Sequence, residues 1–311
     1  MLAPLQGLTH ASMRTVQMEL GAPDVLFSEF VRVSNVSRRR ISRRELDDSR
    51  THSLKAPLVV QLVGNNPEAL SAAALLLQEN GVQHLNLNLG CPYGRMMSGP
   101  TGGAMLQDIP LVDRCLKALR KTVSGGLSVK VRSGYDNPEQ ILKLCPLFES
   151  NGVDFMILHP RTVLQKYKGY ADHSVTRDVV AATSIPVIAN GDVITAQHGR
   201  RVLEKTGAAG LMLGRGAIAD PWLFKRLRNS TETEPDPQQR RALLRIYMLR
   251  LIEECSQVYE GDHQVLAKLK NVVQFVGDQD LRRWCSKIKR TPSLRRFNAM
   301  VESLSDVYRV S

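Results

Sequence analysis

Cys91 lies in NLNLGCPYGRMMSGPTGGAML, where an apolar run stops at Gly90 and Pro92 redirects the chain. A glycine-rich loop follows, of a kind that can close over a substrate and exclude water. A lone cysteine is often only a small buried hydrophobe. Asn88, three residues upstream, and the glycine-rich loop give Cys91 an alternative role in chemistry. In SVKVRSG, Lys130 and Arg132 flank Val131, so alternation sends both charges to one side of a strand. Such charges are costly inside a fold unless they meet an anion or a solvated mouth. His159 and Arg161 in ILHPRT have the same placement, with a satisfied structural histidine as the plain alternative. IPVIANGD ends in Asn190-Gly191-Asp192, and LMLGRGA contains Gly214-Arg215-Gly216. Glycines there let backbone N–H groups approach a phosphate, and Arg215 can add a charge-assisted bond. Ordinary tight turns also use glycine.

These residues need elements that bring them together. Short apolar runs fall at 2–4, 25–29, 58–62, 84–88, 128–132, 155–159, 187–190 and 210–214. Segments of helical period lie between several of them, at 67–80, 111–123, 139–150 and 196–206. PLVVQL and IPVIANG read as parallel strands covered on both faces. Eight strand–helix units predict an α/β fold, a (β/α)8 TIM barrel, with a doubly wound open sheet as the alternative. Gln61, Asn88, Cys91, Lys130, Arg132, His159 and Asn190 each stand at or just past the end of an apolar run. A barrel gathers those ends on one face, whereas an open sheet scatters them. The barrel is assigned to residues 1–229, a polar linker with two prolines to 230–239, and a small helical bundle to 240–311. Its helices are expected at 240–259, 265–276, 281–288 and 294–308.

The chain has 311 residues and a formal net charge of +12, compatible with a polyanionic partner or with simple solubility. Arg38, Arg39, Arg40, Arg43 and Arg44 form one basic cluster. Arg282, Arg283, Lys287, Lys289, Arg290, Arg295 and Arg296 form another, with no acidic residue between positions 281 and 297. Two such clusters suit phosphate contacts, which position a nucleic acid without reading its sequence. Tyr167, Tyr170, Phe275 and Trp284 lie near basic residues and could stack on bases or pack in a core. Five scattered cysteines without a C-x-x-C pair argue against a metal site or disulfides and for a cytoplasmic location. No apolar run reaches membrane-spanning length.

LAPLQG, SEFVRV, VVQLVGNNP, NLNLGCP, SVKVRSGYD, ILHPRT, IPVIANGD and LMLGRGA stand in an order that resembles the tRNA-dihydrouridine synthases over nearly the whole chain. SEFVRV is most similar to the C-type bacterial enzymes, which implies uridine 16 of the D-loop as target. The resemblance implies bound FMN, NADPH as electron donor and tRNA as partner; no protein partner is implied. It places Pro4, Leu5, Gln6, Gln61, Lys130 and His159 around the flavin. Asn190, Gly191, Asp192, Gly214 and Arg215 would hold the phosphate, Cys91 would donate a proton, and Asn88 and Arg132 would contact uracil. Arg32, Arg161, Lys268 and Lys270 are expected to meet substrate or tRNA. The family often has Asp where this chain has Asn86, and Lys near Gly94 where the nearest base is Arg95. Its H-G-R-T motif reads His159-Pro160-Arg161-Thr162 here.

The implied reaction is addition of hydride from flavin N5 to C6 of uracil and of a proton to C5. An ordinary thiol, with a pKa near ~8.5, is mostly protonated at neutral pH and can serve as that acid. Three rivals stay open: an FMN barrel dehydrogenase of a free pyrimidine of the dihydroorotate type, a non-catalytic RNA-binding barrel, and a flavin-free barrel acting on a sugar phosphate.

Overall fold

The computed structural model describes residues 1–36, 40–49, 55–93, 95–96 and 99–305. Arg38 and Arg39 of the first basic cluster lie outside them.

In chain order, α1 (Ala11–Leu20) precedes β1 (Leu26–Arg32), α2 (Arg43–Asp48) and β2 (Leu58–Val63). Next come α3 (Pro67–Glu79) and β3 (His84–Leu89). A short antiparallel pair, β4 (Arg95–Met96) and β5 (Gly99–Pro100), precedes α4 (Ile109–Thr122) and β6 (Gly126–Arg132). The alternation continues through α5 (Gln140–Ser150), β7 (Phe155–His159), α6 (His173–Ala182), β8 (Val187–Asn190), α7 (Ala196–Thr206) and β9 (Gly210–Met212). Two short helices, α8 (Arg215–Ala219) and α9 (Leu223–Arg228), precede the C-terminal set. That set is α10 (Pro237–Val258), α11 (Asp262–Val273), α12 (Arg282–Ile288) and α13 (Leu294–Glu302).

The caps follow from the sequence. Asn66 accepts the Ala69 N–H at 2.7 Å to start α3, with Pro67 supplying a fixed φ. Asp108 and Pro110 do the same for α4. Buried valines and leucines fill β2 and β3, as expected where helices cover a parallel sheet.

Seven parallel strands run in the order β1-β2-β3-β6-β7-β8-β9. The chain start closes the ring. Leu2 bridges Leu213 in parallel, Ala3 N–H donates to the Leu213 carbonyl at 2.8 Å, and Leu2 N–H donates to the Val25 carbonyl at 2.9 Å. The strand expected at 2–4 is therefore one bridged residue, because Pro4 lacks a donor to extend it. The barrel with C-terminal helices is the fold expected, and the open sheet is excluded.

The register sets the site. Gln61 pairs with Asn86, Asn86 with Ser128, Asn88 with Lys130, and Arg132 with His159. With a period of two, these polar residues share the barrel interior near the strands' carboxyl ends.

The C-terminal helices share an apolar core with the barrel. Tyr247, Met248, Leu251, Leu269 and Phe297 cluster with Met13 and Val16 of α1. Large side chains buried this way contribute about 1.5–3 kcal/mol each. The linker expected at 230–239 ends early: Asp236 and Gln239 form a capping box around Pro237, so α10 begins there. The helix expected at 294–308 stops at Glu302 and passes into a 3-10 turn at Ser303–Ser305; its last expected residues lie outside those described. Among the described residues no helix is long and apolar enough to cross a membrane.

Candidate active site

A cavity of about 710 Å³ opens at the carboxyl ends of the strands. Cofactor and ligand sites span about 300–1,000 Å³. Pro4, Leu5, Gln6, Gln61, Asn88, Cys91, Lys130, Arg132, His159, Asn190, Gly191, Asp192, Gly214 and Arg215 all line it. Arg32, Arg161, Lys268 and Lys270 do not. Asn271, Gln274 and Phe275, near the end of α11, complete one wall. Asn271 and Gln274 carried no sequence signal beyond their spacing on one helix face.

Cys91 is held by its backbone. Asn88 Oδ1 accepts the N–H groups of Gly90 at 3.1 Å and Cys91 at 2.9 Å. The Cys91 carbonyl accepts the Gly103 N–H at 3.0 Å. Gly102 has φ +59°, and a Cβ there would stand 3.0 Å from Cys91 Cβ, so the glycine-rich loop packs directly on the cysteine. Cys91 is half-buried and faces the cavity, whereas the other four cysteines are buried. Burial pushes the Cys115 thiol up to about 12 and those of Cys145 and Cys255 to about 11.

Lys130 Nζ donates to Asn190 Oδ1 at 2.9 Å and forms no ion pair among the described residues. Burial, and then the Arg132 charge, push its ammonium down to about 7. An electron-rich or anionic ligand in the cavity would relieve that cost. Asn190 Nδ2 donates to the Met212 carbonyl at 2.8 Å. Its side chain thus ties Lys130 to β9, and keeps one Nδ2 N–H beyond those bonds. Arg132 donates from Nε to the Gly90 carbonyl at 2.8 Å and from Nη1 to those of Thr162 at 2.9 Å and Lys166 at 2.6 Å. Its guanidinium lies 5.3 Å from the Tyr167 ring centre, as does that of Arg215. Burial lowers the Arg132 pKa.

His159 is kept neutral by burial and by the charges of Lys130, Arg132, Arg161 and Arg215. Arg161 can only donate, so His159 Nε2 accepts from its Nη1 at 3.2 Å. Arg161 also clasps Asp192 through Nη1 at 2.9 Å and Nη2 at 2.7 Å, and donates to the carbonyls of Lys168 and Gly169. Its fork is spent inside the protein. The expected contact of Arg161 with substrate or tRNA is therefore replaced by a bracing role.

Asp192 has φ +52° and also takes the Ala171 N–H at 2.8 Å and Arg215 Nη2 at 3.0 Å. Burial opposes its charge, but the Arg161 and Ala171 hydrogen bonds and the two guanidiniums hold its carboxyl below the usual range. A carboxylate so placed orients Arg215 rather than touching a phosphate, which it would repel.

The cavity residues fit a phosphate-bearing flavin. Lys130 is a half-buried amine, its ammonium pushed down to about 7, whose hydrogen-bond partner is a neutral amide. A Cβ at Gly214 would meet only Ala3 Cβ at 3.7 Å and Leu5 Cδ1 at 4.0 Å, so packing does not demand glycine there and its absence of side chain leaves cavity space. Arg215 stands beside that space, half-exposed.

Outside the cavity, Arg32 is exposed at the end of β1. Lys268 lies 5.3 Å from the Tyr259 ring centre. Lys270 donates to the Thr291 carbonyl at 2.7 Å and so braces the helical bundle. Arg282, Arg283, Lys287, Lys289, Arg290, Arg295 and Arg296 are all exposed and form no ion pair among the described residues. Of the aromatic candidates, Tyr167 and Phe275 line the cavity and Tyr170 is exposed. Trp284 is instead packed, its indole N–H on the Met300 carbonyl at 3.0 Å.

The sequence profile described as Dihydrouridine synthase (Dus) matches residues 1–304. A "tRNA-dihydrouridine synthase B" of Pseudomonas putida is 33% identical over 243 residues, covering 76% of this chain and 71% of that protein. A "Probable tRNA-dihydrouridine synthase" of Rickettsia conorii is 33% identical over 241 residues, covering 75% and 70%. Among solved structures, the old yellow enzyme homologue from Zymomonas mobilis superposes with a TM-score of 0.55 at 12% identity, covering 77% of this chain and 91% of that one. That likeness concerns the fold. The match over almost the entire sequence, on a barrel whose strand ends carry the family's motifs, means that the chain belongs to the dihydrouridine synthase family, as a flavin oxidoreductase of the tRNA-dihydrouridine synthase type.

Proposed function

We propose that the chain reduces the C5=C6 bond of a uridine in the tRNA D-loop, with FMN bound in the cavity and NADPH as electron donor. The observation that carries this reading is Cys91, held by Asn88 and Gly103 at the wall of the cavity that also holds Lys130 and Arg132. Lys130 and Gln61 are the residues for the flavin ring, and Arg215 with the backbone of Gly191 and Gly214 those for its phosphate. When bound, the reduced flavin supplies the hydride for C6 of the uracil. Cys91 delivers the proton to C5, and its thiol is regenerated from solvent. Asn88 and Arg132 stabilise negative charge developing on the pyrimidine oxygens. His159, held neutral, adds no charge of its own.

The uracil has to leave its stack to reach Cys91, at a cost of a few kcal/mol. Arg32, Lys268 and the exposed cations of α12 and α13 supply binding energy through phosphates. SEFVRV supports uridine 16 as the position. The Pseudomonas putida relative named above is of B type, which weighs against the C-type resemblance. Mapping of the product decides between positions.

The test is to incubate the flavin-loaded protein with NADPH and either tRNA or a free pyrimidine. Dihydrouridine at one D-loop position, with no turnover of uracil or dihydroorotate, is the expected outcome. Comparable turnover of a free pyrimidine would favour the dehydrogenase reading instead.

A further inference from the structure

Behind the cavity wall runs a chain of side-chain hydrogen bonds with a fixed direction. It begins at the turn that carries Cys91. The N–H groups of Gly90 and Cys91 can only donate, so Asn88 must face them with Oδ1. Asn88 Nδ2 is thereby turned to Gln61 Oε1, at 2.7 Å. Gln61 in turn presents Nε2 to Asn86 Oδ1, also at 2.7 Å. Asn86 Nδ2 then donates to Ser128 Oγ at 2.8 Å, and the Ser128 hydroxyl donates to the Leu85 carbonyl at 3.4 Å. That carbonyl can only accept. Both ends are backbone groups of fixed sense, so a single amide cannot flip without setting donor against donor.

All four side chains are buried, yet only Gln61 and Asn88 line the cavity. Each primary amide carries two N–H bonds. The chain uses one on Gln61 and one on Asn88, which leaves a second on each. We infer that Asn86 and Ser128, neither of which touches the cavity, are positioning residues: they set Gln61 and Asn88 as hydrogen-bond donors toward a ligand and pin the turn bearing Cys91. Donors suit the carbonyl and ring-nitrogen acceptors of a pyrimidine or a flavin. Buried networks of this kind specify one arrangement because a broken link leaves a costly unpaired group.

The catalytic consequence rests on the reaction proposed above, but the pinning of Cys91 does not. Ser128→Ala and Asn86→Ala each break the chain. Asn86→Asp keeps it, because Asp accepts from Gln61 and the Ser128 hydroxyl can turn to donate. In flavin-free protein, iodoacetamide labelling of Cys91 is expected to run roughly threefold faster or more in both alanine variants, as the freed turn opens more often. In loaded enzyme, kcat is expected to fall about tenfold or more, with KM for tRNA within roughly twofold, since misplacement acts on the reacting geometry. Asn86→Asp is expected to restore both readings. Labelling at the wild-type rate in both alanine variants overturns the inference, whatever happens to Tm. Faster labelling in a protein whose wild type shows no activity on tRNA sustains the pinning and counts against the proposed reaction alone.

Discussion

Lys130 carries a desolvation cost in the empty protein that the proposed flavin would relieve. Its folded pKa of about 7 lies below the ordinary lysine value of 10.5. Between those values the unfolded chain holds an extra proton at this position. The Lys130 contribution to stability therefore rises as pH increases from about 7 toward 10.5, and is most unfavourable below that window. Lys130→Met removes a half-buried, desolvated amine. Flavin-free Lys130→Met is expected to melt at or above the wild-type temperature at pH 6. The reduction potential of its bound flavin is expected to fall by something on the order of 30 mV, the equivalent of ~1.4 kcal/mol for a two-electron couple. A lower melting temperature at pH 6 with an unchanged potential would remove Lys130 from this role.

At the scale of elements, the glycine-rich loop after β3 acts as a fixed brace against Cys91. Gly102→Ala places a Cβ 3.0 Å from Cys91 Cβ at a positive φ, so either the loop or the cysteine has to move. Turnover is expected to drop about tenfold or more while flavin content after dialysis stays at the wild-type level; activity within twofold of wild type would show that the loop tolerates displacement. The strands and most helices were legible from their apolar periods, because parallel strands covered on both faces read as short apolar runs. β1 and the barrel closure were less so. The run at 2–4 was read as a strand, but its shrinkage to a single bridge at Leu2 was not legible from the apolar pattern. The gathering of Gln61, Asn88, Cys91, Lys130 and His159 was legible too, since each follows an apolar run. What each one bonds to was not. Arg161 was expected to meet substrate or tRNA, and only three-dimensional packing shows its fork spent on Asp192, His159 and two carbonyls. Asn86 showed only as a departure from the family's usual Asp, because its importance lies in bonds to neighbouring strands.

The whole molecule joins a deep cavity to an exposed basic surface. The cations at positions 282–296 have no acidic partners among the described residues, so they remain available for phosphates. Arg282→Glu with Arg283→Glu is expected to raise KM for tRNA several-fold and to reduce the slope of log affinity against log salt by about 2, with kcat little changed. Titrations at several salt concentrations would show this, and an unchanged slope would place the RNA on another face. The central claim joins that surface to one sulfur atom: a uracil delivered into the cavity receives its C5 proton from Cys91. The most direct measurement mixes pre-reduced, flavin-loaded enzyme with tRNA and follows flavin reoxidation and dihydrouridine in a single turnover, for wild type and Cys91→Ala. The account predicts full flavin content in both proteins, rapid turnover in wild type, and a rate reduced by about 100-fold or more in the variant. Near-wild-type dihydrouridine formation by Cys91→Ala would contradict it.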